Sequence, residues 1–207
     1  MEYRDAPPFC KRPREMTARK TTSRSSGQLL QLKIELSRIK PLIWRRILVP
    51  ETVTLAKLHR IIQAAMGWTD SHLHEFEIAG ERYGVPDPEF DFGEPVISEV
   101  RTKLGKSLGG DASLRYVYDF GDDWEHKIEV EKVLPADVCP TPVYLGGANA
   151  CPPEHVGSPY GYVEFLEAIA DSAHPEHEHM LGWHGGPFDP AAIDHDLIQA
   201  RLQRIKL

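Results

Sequence analysis

Leu114-Arg115-Tyr116-Val117-Tyr118-Asp119-Phe120-Gly121-Asp122-Asp123-Trp124-Glu125-His126-Lys127-Ile128-Glu129-Val130 reads as two strands about a tight turn. Leu114, Tyr116, Tyr118 and Phe120 alternate along the first arm. Trp124, His126, Ile128 and Val130 do so on the second, giving the period of two that marks a half-buried strand. Gly121-Asp122-Asp123 supplies turn chemistry, including a residue able to take positive φ. Two arms with aromatic residues on one side predict an antiparallel hairpin over an apolar core.

Upstream, Leu30, Leu32, Ile34 and Leu36 alternate in the same way, and Leu42–Val49 after Lys40-Pro41 predicts their hairpin partner. Thr54 then caps a helix in which Leu55, Leu58, Ile61, Ile62, Ala65 and Met66 recur at helical spacing, and Gly67 stops it. His72, His74, Phe76 and Ile78 share one face of the next predicted strand. Residues 80–95 and Pro135–Pro159 read as loops rich in Gly, Pro or acids, with a short amphipathic segment around Val100–Leu108 between them. Pro159 and Pro175 each open a predicted helix, and Asp189-Pro190 precedes a last one carrying Ile193, Leu197, Ile198, Leu202 and Ile205. Strands early and helices late predict an α+β fold with a mostly antiparallel sheet, one early helix and a helical C-terminal third.

The chain has 207 residues, 41% of them hydrophobic and 27% charged, enough to fill the core of one domain. Residues 1–28 form a basic leader expected to be disordered, and residues 29–207 the domain. Residues 1–27 carry net charge +4 and the remaining 180 carry −11, so the body is a poor generic partner for phosphate backbones. No apolar run is long enough to span a membrane, and no secretory signal is evident. Three cysteines do not make a disulfide scaffold. A cytoplasmic protein without membrane contact is expected. Phosphate-loop, GxGxxG and GxSxG motifs are absent, which argues against nucleotide-dependent and α/β-hydrolase chemistry.

The order of the motifs is distinctive. Trp44-Arg45-Arg46 leads to Val49-Pro50, Thr54-Leu55-x-x-Leu58-His59 and Ile62-Gln63-x-Ala65-Met66-Gly67-Trp68. His72-Leu73-His74-x-Phe76, Tyr118-Asp119-Phe120-Gly121-Asp122-Asp123-Trp124-x-His126 and Cys151-Pro152-Pro153-Glu154 follow. Over residues 29–205 the chain resembles the plasmid pRiA4b ORF-3-like family, some of whose members are described as insertion-element passenger proteins of TnpR type. The resemblance implies a roll-like α+β domain that travels with plasmids and insertion elements, but no defined activity. A serine resolvase would need a nucleophilic Ser among arginines and a basic recognition helix, and neither is apparent. Family members usually carry a cysteine seven residues before the CPPE motif, where this chain has Tyr144, and an acid where it has His155.

Chemistry concentrates in His72, His74, Asp119, Asp122, Asp123, Trp124 and His126, a candidate ligand pocket of imidazoles and carboxylates walled by aromatic rings. If the strand bearing His74 neighbours the one bearing His126, their imidazoles converge; otherwise each is a core histidine with its own hydrogen bond. The Asp122-Asp123 pair is equally explained as ordinary turn chemistry. His74, His126, Cys151 and His155 are candidate ligands of a divalent metal, with Cys139 a further thiol, although one Cys-x-x-x-His pair falls short of zinc-site spacing. His174, His177 and His179 read as a solvated helix start. Two functions stay open. One is a binding or accessory domain acting through protein or nucleic-acid contacts of a mobile element. The other is a metal-assisted, hydrolase-like enzyme using the His/Asp cluster.

Overall fold

The computed structural model describes residues 27–87, 95–135 and 141–207. The strands are β1 (Gln28–Leu36), β2 (Trp44–Pro50), β3 (His74–Ile78), β4 (Glu81–Gly84), β5 (Ile97–Ser98), β6 (Ser113–Tyr118), β7 (Trp124–Pro135) and β8 (Val143–Ala148). The helices are α1 (Leu55–Met66), α2 (Leu104–Leu108), α3 (Ser158–Ala170), α4 (His177–His184) and α5 (His195–Gln203). The strands form one eight-stranded sheet in the order β5-β4-β3-β6-β7-β1-β2-β8. Every pairing is antiparallel except β4 with β5. The fold is α+β, as the patterning predicts.

Register explains why the sheet has one wet and one dry face. Phe76 pairs with Tyr116, Tyr116 with His126, and His126 with Leu36, so one cross-strand row is buried throughout. The neighbouring row, Glu77–Arg115–Lys127–Glu35, points the other way. Arg115 there bridges Glu77 and Glu125, while Arg82 pairs with Glu75 and Arg46 with Glu131. A slip of one residue would exchange the two rows and bury the charges, which makes the register stringent.

The dry face is covered by α1. Thr54 Oγ1 accepts a hydrogen bond from Lys57 N at 3.3 Å, and Gly67 (φ 102°) closes the helix by donating to Gln63 O at 2.8 Å. Leu55, Leu58, Ile61, Ile62 and Ala65 are fully buried. Arg45 projects into this core from β2, and its guanidinium donates to the carbonyls of Ala65, Trp44 and Ala148 at 2.9–3.0 Å. It thereby ties an orphan carbonyl in the last turn of α1 to strands β2 and β8. Arg46, one residue on, faces solvent and stacks over Trp44 at 4.9 Å.

Several expectations need correction. The segments read as loops contain two strands, β4 within 80–95 and β8 within 135–159. Gly146 and Gly147 disguise β8, yet Gly147 belongs there because a Cβ would stand 2.7 Å from Trp44 O. Its edge is not left open either, since Tyr144 N donates to Gln199 Oε1 of α5 at 3.0 Å. His72 lies before β3 rather than on it. In the β6–β7 turn the positive φ falls on Asp119 (57°) and Asp123 (54°), not on Gly121. Gln28, assigned to the leader, already belongs to β1. Residues 1–26 of the leader, 88–94 and Cys139 lie outside the described residues.

Ile62 lies on the buried face of α1 at 0% exposure. Ile62→Ala is expected to lower unfolding free energy by about 2–5 kcal/mol in urea titrations, the range for buried truncations. A loss under about 0.5 kcal/mol, typical of surface positions, would show the helix packed on a different face.

Candidate functional site

Two polar residues interrupt the buried face of α1, and both are used. His59 Nδ1 lies 2.8 Å from the Tyr116 hydroxyl, and His59 Nε2 lies 2.7 Å from Asp70 Oδ1. Gln63 Nε2 donates to the same Tyr116 oxygen at 3.2 Å, and Gln63 Oε1 accepts from Asp70 N at 3.1 Å. With Asp70 accepting from Nε2–H, the neutral His59 ring takes the Tyr116 proton at Nδ1, and every polar atom is matched. Burial pushes the His59 pKa down, and the nearby His74 adds to this; the Asp70 carboxylate opposes both. Tyr116 is held well above the ordinary tyrosine value by its burial.

His74, at the start of β3, stacks flat on His59, with ring centroids 3.4 Å apart and planes 4° from parallel. Its Nε2 lies 2.8 Å from Glu99 Oε2, which leaves Nδ1 as the nitrogen with a free lone pair in the neutral ring. Glu99 is buried in the turn after β5, where its backbone bonds to both Gly84 and Ala56. Asp70 stands on left-handed backbone (φ 60°), a conformation that aspartate tolerates better than most residues. One ligand-capable atom from each of His59, Asp70 and His74 lies within 4.8 Å of the others, and this is the only such group among the described residues. The two imidazole side chains are 5% and 8% exposed but Asp70 is 52% exposed, so the group opens to solvent on the carboxylate side.

The other sequence candidates are distributed around this centre rather than within it. His72 Nε2 is 3.2 Å from His155 Nδ1 and 3.4 Å from Asp119 Oδ2, forming an outer imidazole–carboxylate group. Asp119 Oδ1 meanwhile accepts from Gly121 N and Asp122 N, which is turn chemistry. Asp122 accepts from Gly157 N, and Asp123 pairs with Arg38 at 2.8 Å. Trp124, 1% exposed, packs against Trp68, which also stacks on Tyr118.

His126 does not join His74. Tyr116 contacts both rings, at 5.9 Å from His74 and 5.2 Å from His126. His126 is 0% exposed, and neither ring nitrogen has a hydrogen-bond partner of good geometry. Its ring stands perpendicular to that of Trp68, with centroids 5.4 Å apart. Cys151 belongs to no group of converging ligand atoms among the described residues, and burial pushes its thiol up to about 12 despite the Arg45 charge nearby. His155 finds its partner in His72.

Sequence reading missed His59, Asp70 and Glu99. A signal existed for the first, since His59 and Gln63 fall i, i+4 apart on an otherwise apolar helical stripe. Asp70 and Glu99 carry no periodic signal and become visible only through contacts.

The profile of the family described as plasmid pRiA4b ORF-3-like protein matches residues 28–197. The chain belongs to this family. An uncharacterized protein y4hQ of Sinorhizobium fredii is 44% identical over 171 residues, covering 81% of this chain and 87% of the relative. A crystal structure of a protein of unknown function, MM3350 from Methanosarcina mazei Go1, superposes with a TM-score of 0.74 at 38% identity. That match covers 84% of this chain and 97% of the other. His59, Asp70, His74 and Glu99 all fall inside the family span. No described helix is long and apolar enough to cross a membrane.

The buried His126 makes stability depend on pH. Burial holds its pKa at about 4, against 6.5 for an exposed histidine, although the Trp124 and Tyr116 backbones pull the other way. Between these values the unfolded chain binds the extra proton, so stability rises with pH and is lost as pH falls from about 6.5 to 4. The histidine's share of that loss is about 3 kcal/mol. Urea unfolding at pH 7 and pH 4.5 is expected to show His126→Leu losing less stability on acidification than the parent. Equal losses would mean that His126 does not titrate on unfolding.

Proposed function

We propose that this chain is a metal-dependent enzyme of hydrolase type, with His59, His74 and Asp70 as ligands of one divalent transition ion. The observation that carries the reading is the convergence of two imidazoles and one carboxylate from a helix, a strand and the loop between them. Two histidines and a carboxylate suit zinc, manganese or ferrous iron and leave coordination positions for water or substrate. Each imidazole also has a partner for its remaining nitrogen, Glu99 for His74 and Tyr116 for His59, the outer contacts that orient metal-bound histidines. The Tyr116 hydroxyl can accept as readily as donate, so it serves both the neutral ring and a ring metallated at Nε2.

Metal entry has a structural consequence. An imidazole lone pair lies in its ring plane, and planes that are parallel 3.4 Å apart share no point. One ring, His74 or His59, therefore turns out of the stack when the ion binds at ligand distances of about 2 Å. A divalent ion there would lower the pKa of a bound water toward about 7 and make it a nucleophile at neutral pH. The outer pair of His72, in the loop that carries Asp70, and Asp119, in the β6–β7 turn, would supply a proton-handling group at the rim.

The accessory-domain alternative, in a cytoplasmic partnership with protein or nucleic acid of a mobile element, draws on the plasmid origin in the family's description. Charge favours it less for nucleic acid. Arg46, Arg82 and Arg115 on the open sheet face are each paired with carboxylates, and the body is acidic overall.

Purified apo-protein titrated with zinc or manganese is expected to take up about one equivalent, with His74→Ala abolishing uptake and His126→Leu retaining it. Glu99→Gln is expected to weaken affinity roughly 10–100-fold, as for other outer contacts of metal-bound histidines. Undiminished binding by His74→Ala, or no binding by the parent, contradicts the reading.

A further inference from the structure

The Cys151-Pro152-Pro153-Glu154 segment is distinctive in sequence, yet no atom of it belongs to the His59–Asp70–His74 group. Its contacts explain what it does. Pro152 O accepts the Trp68 indole N–H at 3.0 Å. Glu154 Oε1 accepts from Thr69 N and from the Tyr118 hydroxyl, both at 2.9 Å. Glu154 Oε2 accepts from Thr69 Oγ1 at 2.6 Å and Ser71 Oγ at 3.1 Å. The Tyr118 oxygen in turn accepts from Ser71 N at 2.9 Å. Residues 68, 69 and 71 are thus each held, directly or through Tyr118, by two residues of one distant segment.

The residue between those anchors is Asp70. Its own backbone N–H goes to Gln63 and its φ of 60° is sparsely populated, so the loop has no regular hydrogen-bond ladder to hold it there. We infer that Glu154 is a positioning residue: it clamps the 69–71 turn so that the Asp70 carboxylate stays at His59, completing the divalent-metal site. This inference rests on the metal reading proposed above. The clamp is charge-assisted, since carboxylate acceptors make the stronger hydrogen bonds. Burial alone would disfavour the Glu154 carboxylate, but the donors from Thr69, Tyr118 and Ser71 outweigh it and hold its pKa below the usual value. Pro152 and Pro153 suit the role by fixing φ, and thus the chain direction into Glu154.

The same geometry separates clamp from ligand. Glu154 is outside the group of converging ligand atoms, and both its oxygens are hydrogen-bonded to the loop or to Tyr118. Its removal should alter where Asp70 stands without removing any ligand.

The test compares the parent, Glu154→Ala and the isosteric Glu154→Gln as full chains, by calorimetric titration with zinc chloride and by amide hydrogen exchange at Thr69 and Ser71. For Glu154→Ala, exchange at both amides is expected to quicken at least about tenfold as their local opening becomes easier. Zinc affinity is expected to fall roughly 10–100-fold, the effect of losing an outer contact at a metal site, with little change in melting temperature. Glu154→Gln keeps one accepting oxygen and is expected to show the same changes at smaller size. It also answers for Glu154→Ala should that variant not fold. Unchanged exchange overturns the clamp, and quickened exchange with unchanged zinc affinity overturns the positioning role. If the parent binds no zinc, the metal reading falls by itself. In that case quickened exchange in the variants supports the clamp of Asp70, and unchanged exchange overturns it.

Discussion

Everything around the candidate site depends on how α1 satisfies two polar side chains on its buried face. Leaving a buried imidazole or amide without partners costs about 1–3 kcal/mol each. His59 and Gln63 avoid that cost only where the Tyr116 hydroxyl and the Asp70 loop meet them. Helix, sheet and loop are therefore held in one relative arrangement by hydrogen bonds that nonspecific apolar packing would not require. The arrangement that satisfies the helix is the one that gathers two imidazoles and a carboxylate.

The sheet supplies the other half of this constraint. Because β3, β6 and β7 pair in a stringent register, His74, Tyr116 and Tyr118 all face α1, while the charged row faces solvent. Aromatic rings then isolate the site from the rest of the core. Trp68 and Tyr118 stand on one side, and the sealed His126 lies beyond Tyr116. The orphaned His126 is a core residue whose neutrality is enforced by burial, and its neighbourhood to the site is structural.

Much of the architecture was legible because the elements that form it are periodic. The β6–β7 hairpin, β1 and β2, and α1 with its Thr54 and Gly67 caps all carry patterns that local physics converts directly into structure. β4 and β8 were not legible because one is four residues long and the other is broken by two glycines, of which Gly147 is required by a close backbone approach. The site was legible only in part. His72, His74 and Asp119 stood out as chemical residue types in strand-like or turn-like contexts. His59 was hidden by its helix, although its place on an apolar stripe was a usable signal. Asp70 and Glu99 act through long-range contacts, to a residue 11 positions earlier and to one 25 positions earlier, which no local pattern encodes. The CPPE segment was legible as a motif but not as a clamp, because its partners in the 68–71 loop lie more than 80 residues upstream.

On the reading proposed here, His59, His74 and Asp70 jointly hold one divalent ion. The most direct measurement is anomalous diffraction at the zinc edge from crystals of the zinc-loaded protein. One strong peak is expected about 2 Å from a nitrogen of His59, a nitrogen of His74 and an oxygen of Asp70, with the imidazole stack opened. A peak elsewhere, or the two rings still stacked at 3.4 Å with no density between them and Asp70, would contradict it.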